Sequence, residues 1–65
     1  MKRKDLIRLL EANGWVLERE GASHTIFRKN LTFEPIPRHR EINEFLARDI
    51  IKRNGLQPGK KGETL

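Results

Sequence analysis

Residues 15–36, WVLEREGASHTIFRKNLTFEPI, decide the fold because they hold three short runs of strand-forming residues separated by two turns. The runs are WVLERE (15–20), SHTIFRK (23–29) and LTFEPI (31–36). β-Branched and aromatic residues favour strands, and a Gly-Ala pair and Asn30 supply the turns. Pro35 and Pro37 cannot donate to a ladder of hydrogen bonds, so the third strand is predicted to be late or at an edge.

Both flanks of these strands have the periodicity of amphipathic helices. The first helix is predicted over residues 3–12 and ends at Asn13-Gly14, where a residue that tolerates left-handed backbone follows the last turn. The second is predicted to begin after Asn43, a suitable N-cap, and to finish at Gly55. Its apolar face is predicted to consist of Phe45, Leu46, Ile50 and Ile51.

The order of elements is therefore α-β-β-β-α, and the fold class is α+β. We expect one domain over residues 1–56, with a three-stranded antiparallel sheet covered by both helices on one face, and a loosely ordered polar tail over residues 57–65. Alternation along the strands assigns Trp15, Leu17, Thr25 and Phe27 to the covered face. The same alternation assigns His24, Ile26 and Arg28 to the open face.

Composition indicates a basic protein of the cytoplasm. The 65 residues include 14 Lys or Arg against nine acidic residues, a formal charge of +5, as expected of a protein that meets phosphates. A solvated basic surface is the alternative interpretation. Cysteine is absent, which excludes disulfides and thiol catalysis, and no apolar stretch approaches the length of a membrane span.

His24 is the side chain most suited to catalysis, because an exposed imidazole exchanges protons near neutral pH. Arg28 and Lys29 follow it on the same strand and are predicted to hold a phosphate within its reach. A cation and a proton shuttle suffice for RNA cleavage, since the 2′-OH is an internal nucleophile that DNA lacks. A structural role for His24 remains the alternative, and Ser23 is better explained as a turn residue than as a nucleophile.

A second basic cluster, Arg38, His39 and Arg40, lies just before the second helix and is predicted to grip backbone phosphates. Its alternative is an exposed, charged connector. The two histidines lack the short spacing of metal ligands, and the acidic residues are scattered. We therefore expect neither a metal nor another cofactor.

Taken together, DLIRLLEANGWVLEREGASHTIFR and IPRHREINEFLARDIIKRNGL resemble the HicA family of bacterial toxins, also called YcfA-like mRNA interferases. The resemblance rests on Asn13-Gly14-Trp15, on Ser23-His24 with Phe27, and on Pro37-x-His39 before the helix that ends in Gly55-Leu56. It extends to about Leu56. The family commonly has Gly directly before Ser-His, where this chain has Ala22.

The resemblance implies a fold like that of double-stranded-RNA-binding domains and an endoribonuclease that cleaves mRNA without the ribosome's help. It implies catalysis by the histidine corresponding to His24. It also implies a HicB antitoxin that holds the toxin inactive. Two other functions stay open from the residues alone: a non-catalytic module that binds the A-form RNA backbone, and a small adaptor whose basic face docks an acidic protein.

Overall fold

The computed structural model describes residues 1–57 and has the predicted order of elements. These are α1 (Arg3–Ala12), β1 (Val16–Glu20), β2 (His24–Lys29), β3 (Thr32–Pro37) and α2 (Glu44–Arg53). The strands form one antiparallel sheet in the order β1-β2-β3, so the proline-containing third strand is an edge strand, as predicted. Of the predicted polar tail, residues 58–65 lie outside the described residues.

Both helices end in the same way, at an Asn-Gly pair followed by a buried apolar residue. Gly14 and Gly55 have φ of +88° and +60°, a region that glycine enters at little cost. The amides of Trp15 and Leu56 then reach back to carbonyls five residues earlier, at 3.0 Å in each case. These are the bonds of a Schellman motif, so the local sequence Asn-Gly-apolar both ends each helix and directs the chain into the core.

The N-terminus of α2 is capped as predicted, while that of α1 has no such cap. The Asn43 side chain accepts hydrogen bonds from the amides of Phe45 and Leu46. In α1 the N-cap position is Lys2, whose side chain makes no capping bond. Instead the amide of Arg3 donates to the carbonyl of Arg40 at 2.8 Å, which fixes the start of α1 against the segment between β3 and α2.

A single core lies between the helices and one face of the sheet. Its buried members are Leu6, Leu10, Trp15, Phe27, Ile36, Ile42, Ala47, Ile50 and Leu56. Trp15, Thr25 and Phe27 are buried as assigned, but two predicted core residues are not. Leu17 is 54% exposed and Phe45 is 73% exposed. None of the described helices is long and apolar enough to cross a membrane.

Leu17 is exposed although its register is correct. It pairs with Phe27 and therefore shares the covered side, but all five residues of the edge strand β1 are exposed. Phe45 lies in the first turn of α2 and is exposed. The buried face of α2 consists of Ala47 and Ile50, and Phe45 is not on it. The spacing of apolar residues in the sequence identifies the apolar face of a helix. It does not show which part of that face the neighbouring elements cover.

The antiparallel order gives the sheet two distinct ends. At one end, here called the His24 end, β1 finishes, β2 begins and β3 finishes, and His24 is paired with Pro37. At the other, the Asn30 end, a two-residue turn joins β2 to β3, and Asn30 has a φ of +56°. Each candidate residue therefore has a definite position along the sheet, which decides which side chains can act together.

Candidate active site

His24 is the first residue of β2 and is exposed on the open face of the sheet. Its Nδ1 lies 3.2 Å from the hydroxyl oxygen of Ser23. Within residues 1–57, its Nε2 has no hydrogen-bond partner. The Ser23 contact orients the ring through Nδ1 and leaves Nε2 open to a ligand. A side chain that transfers protons needs such an open nitrogen within hydrogen-bond reach of its substrate.

Arg38 holds the loop that precedes His24. Its guanidinium donates to the carbonyls of Gly21, Ala22 and His24, the last at 3.3 Å, and to the Glu20 carboxylate at 2.9 Å. Arg38 was predicted to bind RNA phosphates, but these contacts occupy much of its hydrogen-bonding capacity. Its main contribution in this structure is to fix the backbone from which the imidazole projects.

A bulge in β1 brings Glu20 to this loop. The pairing shifts between Leu17 and Arg19, so that Glu20 pairs with Thr25 and lies on the covered side of the sheet. The Thr25 hydroxyl donates to the Glu20 carboxylate at 2.8 Å. Hydrogen bonds from Thr25, and then from Arg38, hold the pKa of the Glu20 carboxyl below its usual value. Glu20 is therefore a stable anionic partner for Arg38 at neutral pH.

A concavity lined by cations opens at the His24 end. Its lining residues are Lys2, Arg3, Lys4, Arg38 and Arg40. We call this site the cationic concavity. It forms because the N-terminus of α1 lies against the segment after β3, and Arg3 connects them by donating to the carbonyl of Pro37 at 2.9 Å and to the hydroxyl of Thr25 at 2.6 Å. Arg38 lines the concavity and also contacts the backbone of His24.

Arg28 and Lys29 lie at the other end of the sheet. Arg28 is on the same face as His24, but four residues away, which is about 13 Å between Cα atoms in a strand. Its guanidinium donates to the Glu18 carboxylate at 2.7 Å. Lys29 points to the opposite face by alternation. The structure therefore does not gather these two cations with His24 around one phosphate.

The remaining predicted site residues, His39 and Arg40, lie in the connection between β3 and α2 and are exposed. Their side chains make no hydrogen bond within residues 1–57. The part of the chain that the structure describes has no group of three or more His, Asp or Glu residues placed to hold a metal ion. Of the two predicted basic clusters, the second supplies Arg38, which contacts the His24 backbone, and Arg40, which lines the concavity with Arg38.

Sequence reasoning missed three of the five residues that line the concavity, Lys2, Arg3 and Lys4. They stand at the charged start of the amphipathic helix α1, with Lys2 at its N-cap position. An available signal was the run of cations at the helix N-terminus, where positive side chains oppose the helix dipole and are unfavourable unless something else compensates for them.

Comparison with known protein families gives a match over most of the chain. A family model described as the HicA toxin of bacterial toxin–antitoxin systems matches residues 3–56, which include both helices and all three strands. Neither a curated protein nor a solved structure matches significantly. Because the match covers well over half of the chain and includes the histidine end of the sheet, this chain belongs to the HicA toxin family, and hence is a toxin whose partner is an antitoxin.

Proposed function

We propose that this toxin is a ribosome-independent endoribonuclease that cleaves mRNA with His24 as its catalytic residue and without a metal ion. The observation that carries the proposal is the position of an exposed imidazole, with Nε2 free of partners in residues 1–57, at the same end of the sheet as five cations. An imidazole exchanges protons at neutral pH, and cations attract and orient a phosphodiester. These two groups are what RNA cleavage needs from a protein.

In the proposed reaction, Nε2 of His24 takes the proton of a ribose 2′-OH. The 2′-oxygen then forms a bond to the adjacent phosphorus while the bond from phosphorus to the 5′-oxygen breaks. The imidazolium formed in the first step returns its proton to the departing 5′-oxygen. Nearby cations stabilise the negative charge that develops on the phosphoryl oxygens. The same histidine thus acts as base and then as acid, and no water or metal enters the bond-making step.

Substrate binding in this proposal is divided between the two ends of the sheet. His39 and Arg40 are exposed in the segment that follows Pro37, the strand partner of His24, and are proposed to contact RNA near the cleaved bond. Arg28 and Lys29 are proposed to contact the strand only farther along, because they lie at the Asn30 end. Arg38 is proposed to act as a positioning residue through the loop before His24, in addition to any phosphate contact.

The purified chain, freed of antitoxin, is expected to cut single-stranded RNA into fragments in the presence of EDTA. The measurement is gel analysis of an end-labelled RNA over time. A non-catalytic RNA-binding module would instead retard the RNA and leave it intact. Cleavage that stops with EDTA and returns with Mg²⁺ would contradict the metal-free mechanism.

We also propose that a HicB-type antitoxin inhibits by covering the open face of the sheet around His24 and Arg28. In the free toxin this face exposes two apolar side chains to water: Val16 is 50% exposed and Phe33 is 53% exposed. They flank Arg28 in the register of the sheet, since Val16 and Phe33 are its partners on either side. Apolar side chains with charged neighbours are typical of an interface between proteins.

Hydroxyl-radical footprinting with the antitoxin is expected to protect Phe33 from oxidation. Phe45 is the matched control, because it is also an exposed phenylalanine but lies on α2, in the helical layer on the other side of the sheet. Quantitative mass spectrometry of the two residues, with and without antitoxin, gives the result directly. Protection of Phe45 with Phe33 left open would show that inhibition does not occur through the open face.

A further inference from the structure

The cationic concavity carries more positive charge than the protein itself neutralises. Arg38 is paired with Glu20 at 2.9 Å and Lys2 with Glu41 at 3.6 Å. Within the described residues, Arg3, Lys4 and Arg40 have no carboxylate within salt-bridge distance. Like charges this close repel one another, so the arrangement favours the binding of an anion.

The unpaired groups are also free to donate hydrogen bonds. Arg3 uses its Nε and Nη2 on the carbonyl of Pro37 and the hydroxyl of Thr25, which fixes the guanidinium in place. Its Nη1 has no acceptor in residues 1–57, and neither do the side chains of Lys4 and Arg40. A guanidinium that the protein holds in place, and that still has unused N–H donors, is suited to binding a phosphate. Phosphate oxygens accept hydrogen bonds from the N–H groups of the planar guanidinium.

The concavity lies at the same end of the sheet as the proposed catalytic group. Arg38 lines the concavity and donates to the carbonyl of His24, while Thr25, the next residue of β2, accepts from Arg3. An anion bound there would lie at the His24 end of the sheet and not at the Asn30 end, on the helix-covered side where Thr25 contacts Arg3. An RNA strand offers regularly spaced phosphates, so one or more of them can occupy the concavity while another phosphate of the same strand meets His24.

We propose that the cationic concavity binds phosphates of the same RNA strand that is cleaved at His24, with Lys4 and Arg40 as its exposed contacts and Arg3 as its fixed base. This inference rests on the proposed function for the identity of the ligand. It assigns substrate positioning to the N-terminus of α1, which the two basic clusters seen in the sequence do not include. An acidic segment of a protein is the competing ligand, and the salt dependence of RNA binding separates the two.

The experiment measures how the affinity for RNA depends on salt, in a His24→Ala background so that the RNA stays intact. The probe is a fluorescent single-stranded RNA, and the reading is fluorescence anisotropy over a range of salt concentrations. Each phosphate contact that is lost lowers the slope of log affinity against log salt by about 0.7 for a single strand. The double substitution Lys4→Gln with Arg40→Gln is expected to lower it by about 1.4.

The matched control is Arg48→Gln with Lys52→Gln, which also removes one Arg and one Lys. Both are exposed on α2, and neither lines the concavity. The control is expected to keep most of the wild-type slope. Equal slopes for the two double variants would overturn the proposal, since only total charge would then matter. An unchanged RNA slope with weaker antitoxin binding would also overturn it and would make the concavity a docking site for protein.

The binding assay does not depend on cleavage, so the two proposals fail separately. A smaller slope for the concavity variant supports the phosphate site even if the wild-type chain leaves RNA intact. Cleavage by wild type with equal slopes for both double variants would keep the nuclease and remove the concavity from substrate binding. Circular dichroism of all variants checks that they fold, as expected because the four substituted cations are exposed and their side chains make no hydrogen bond within residues 1–57.

Discussion

His24→Ala is expected to reduce the rate of RNA cleavage by about 10²- to 10⁴-fold, which is the rate enhancement that one positioned acid–base group supplies. The loss should lie toward the upper end, because the proposed mechanism uses the same imidazole in both proton transfers. The thermal midpoint should change little, since His24 is exposed and the only hydrogen bond of its side chain in residues 1–57 is with the neighbouring Ser23. Single-turnover cleavage and a melting curve of the same preparation measure both quantities.

His39→Ala is the comparison for this variant, because it removes the other exposed histidine. Its effect should be confined to RNA affinity and should disappear at saturating RNA. An equal loss of rate in the two variants would contradict the assignment of catalysis to His24 alone. Unfolding of His24→Ala would show that the histidine is structural and would remove the basis of the proposed mechanism.

Ile50→Ala is expected to unfold most of the protein at ordinary temperatures. Ile50 is fully buried in α2, and truncating a buried aliphatic side chain to alanine costs about 2–5 kcal/mol. A domain of this size rarely has more than about 3–5 kcal/mol of stability. The loss should therefore be comparable with the whole free energy of unfolding, and urea denaturation followed by circular dichroism measures it.

Ile51→Ala makes the same chemical change one residue later, where the side chain is only partly buried. It is expected to cost clearly less than Ile50→Ala, because less of the side chain leaves a packed environment and water fills the space. Equal destabilisation by the two substitutions would mean that the core is not centred on the face of α2 that contains Ile50.

The helices were the most predictable part of this fold. Their bounds follow from local signals that act within a few residues: the Asn43 cap, and the two Asn-Gly pairs with apolar residues after them. The strands were predicted to within about a residue at each end, and the edge position of β3 followed from the missing amide donors of its prolines.

The burial of particular residues was less predictable, because it depends on neighbours that are distant in sequence. Leu17 has an apolar side chain and the correct register, yet it lies on an edge strand that the helices leave exposed. The bulge that turns Glu20 toward Thr25 has no signature in the run WVLERE. Local sequence sets alternation, while tertiary packing decides what each face meets.

Only part of the arrangement of the candidate site could be predicted, for the same reason. His24 could be chosen by residue type and alternation alone, and its exposure agrees with the choice. The cations around it could not, since the contact between the start of α1 and the segment after β3 joins residues far apart in the chain. Arg28 was placed near His24 because the two are close in sequence, but a strand separates them by its length.

The central claim, that His24 activates a ribose 2′-OH to cut RNA without a metal, is tested most directly with two oligonucleotides that differ in one atom. Once the cleaved bond of an RNA has been mapped, the second oligonucleotide carries deoxyribose at the nucleotide on the 5′ side of that bond. Both are incubated with the purified toxin in EDTA. The account predicts cleavage at this bond in the first and none in the second, because the internal nucleophile is missing. Equal cleavage of the two would show that another group attacks the phosphorus and would contradict the mechanism.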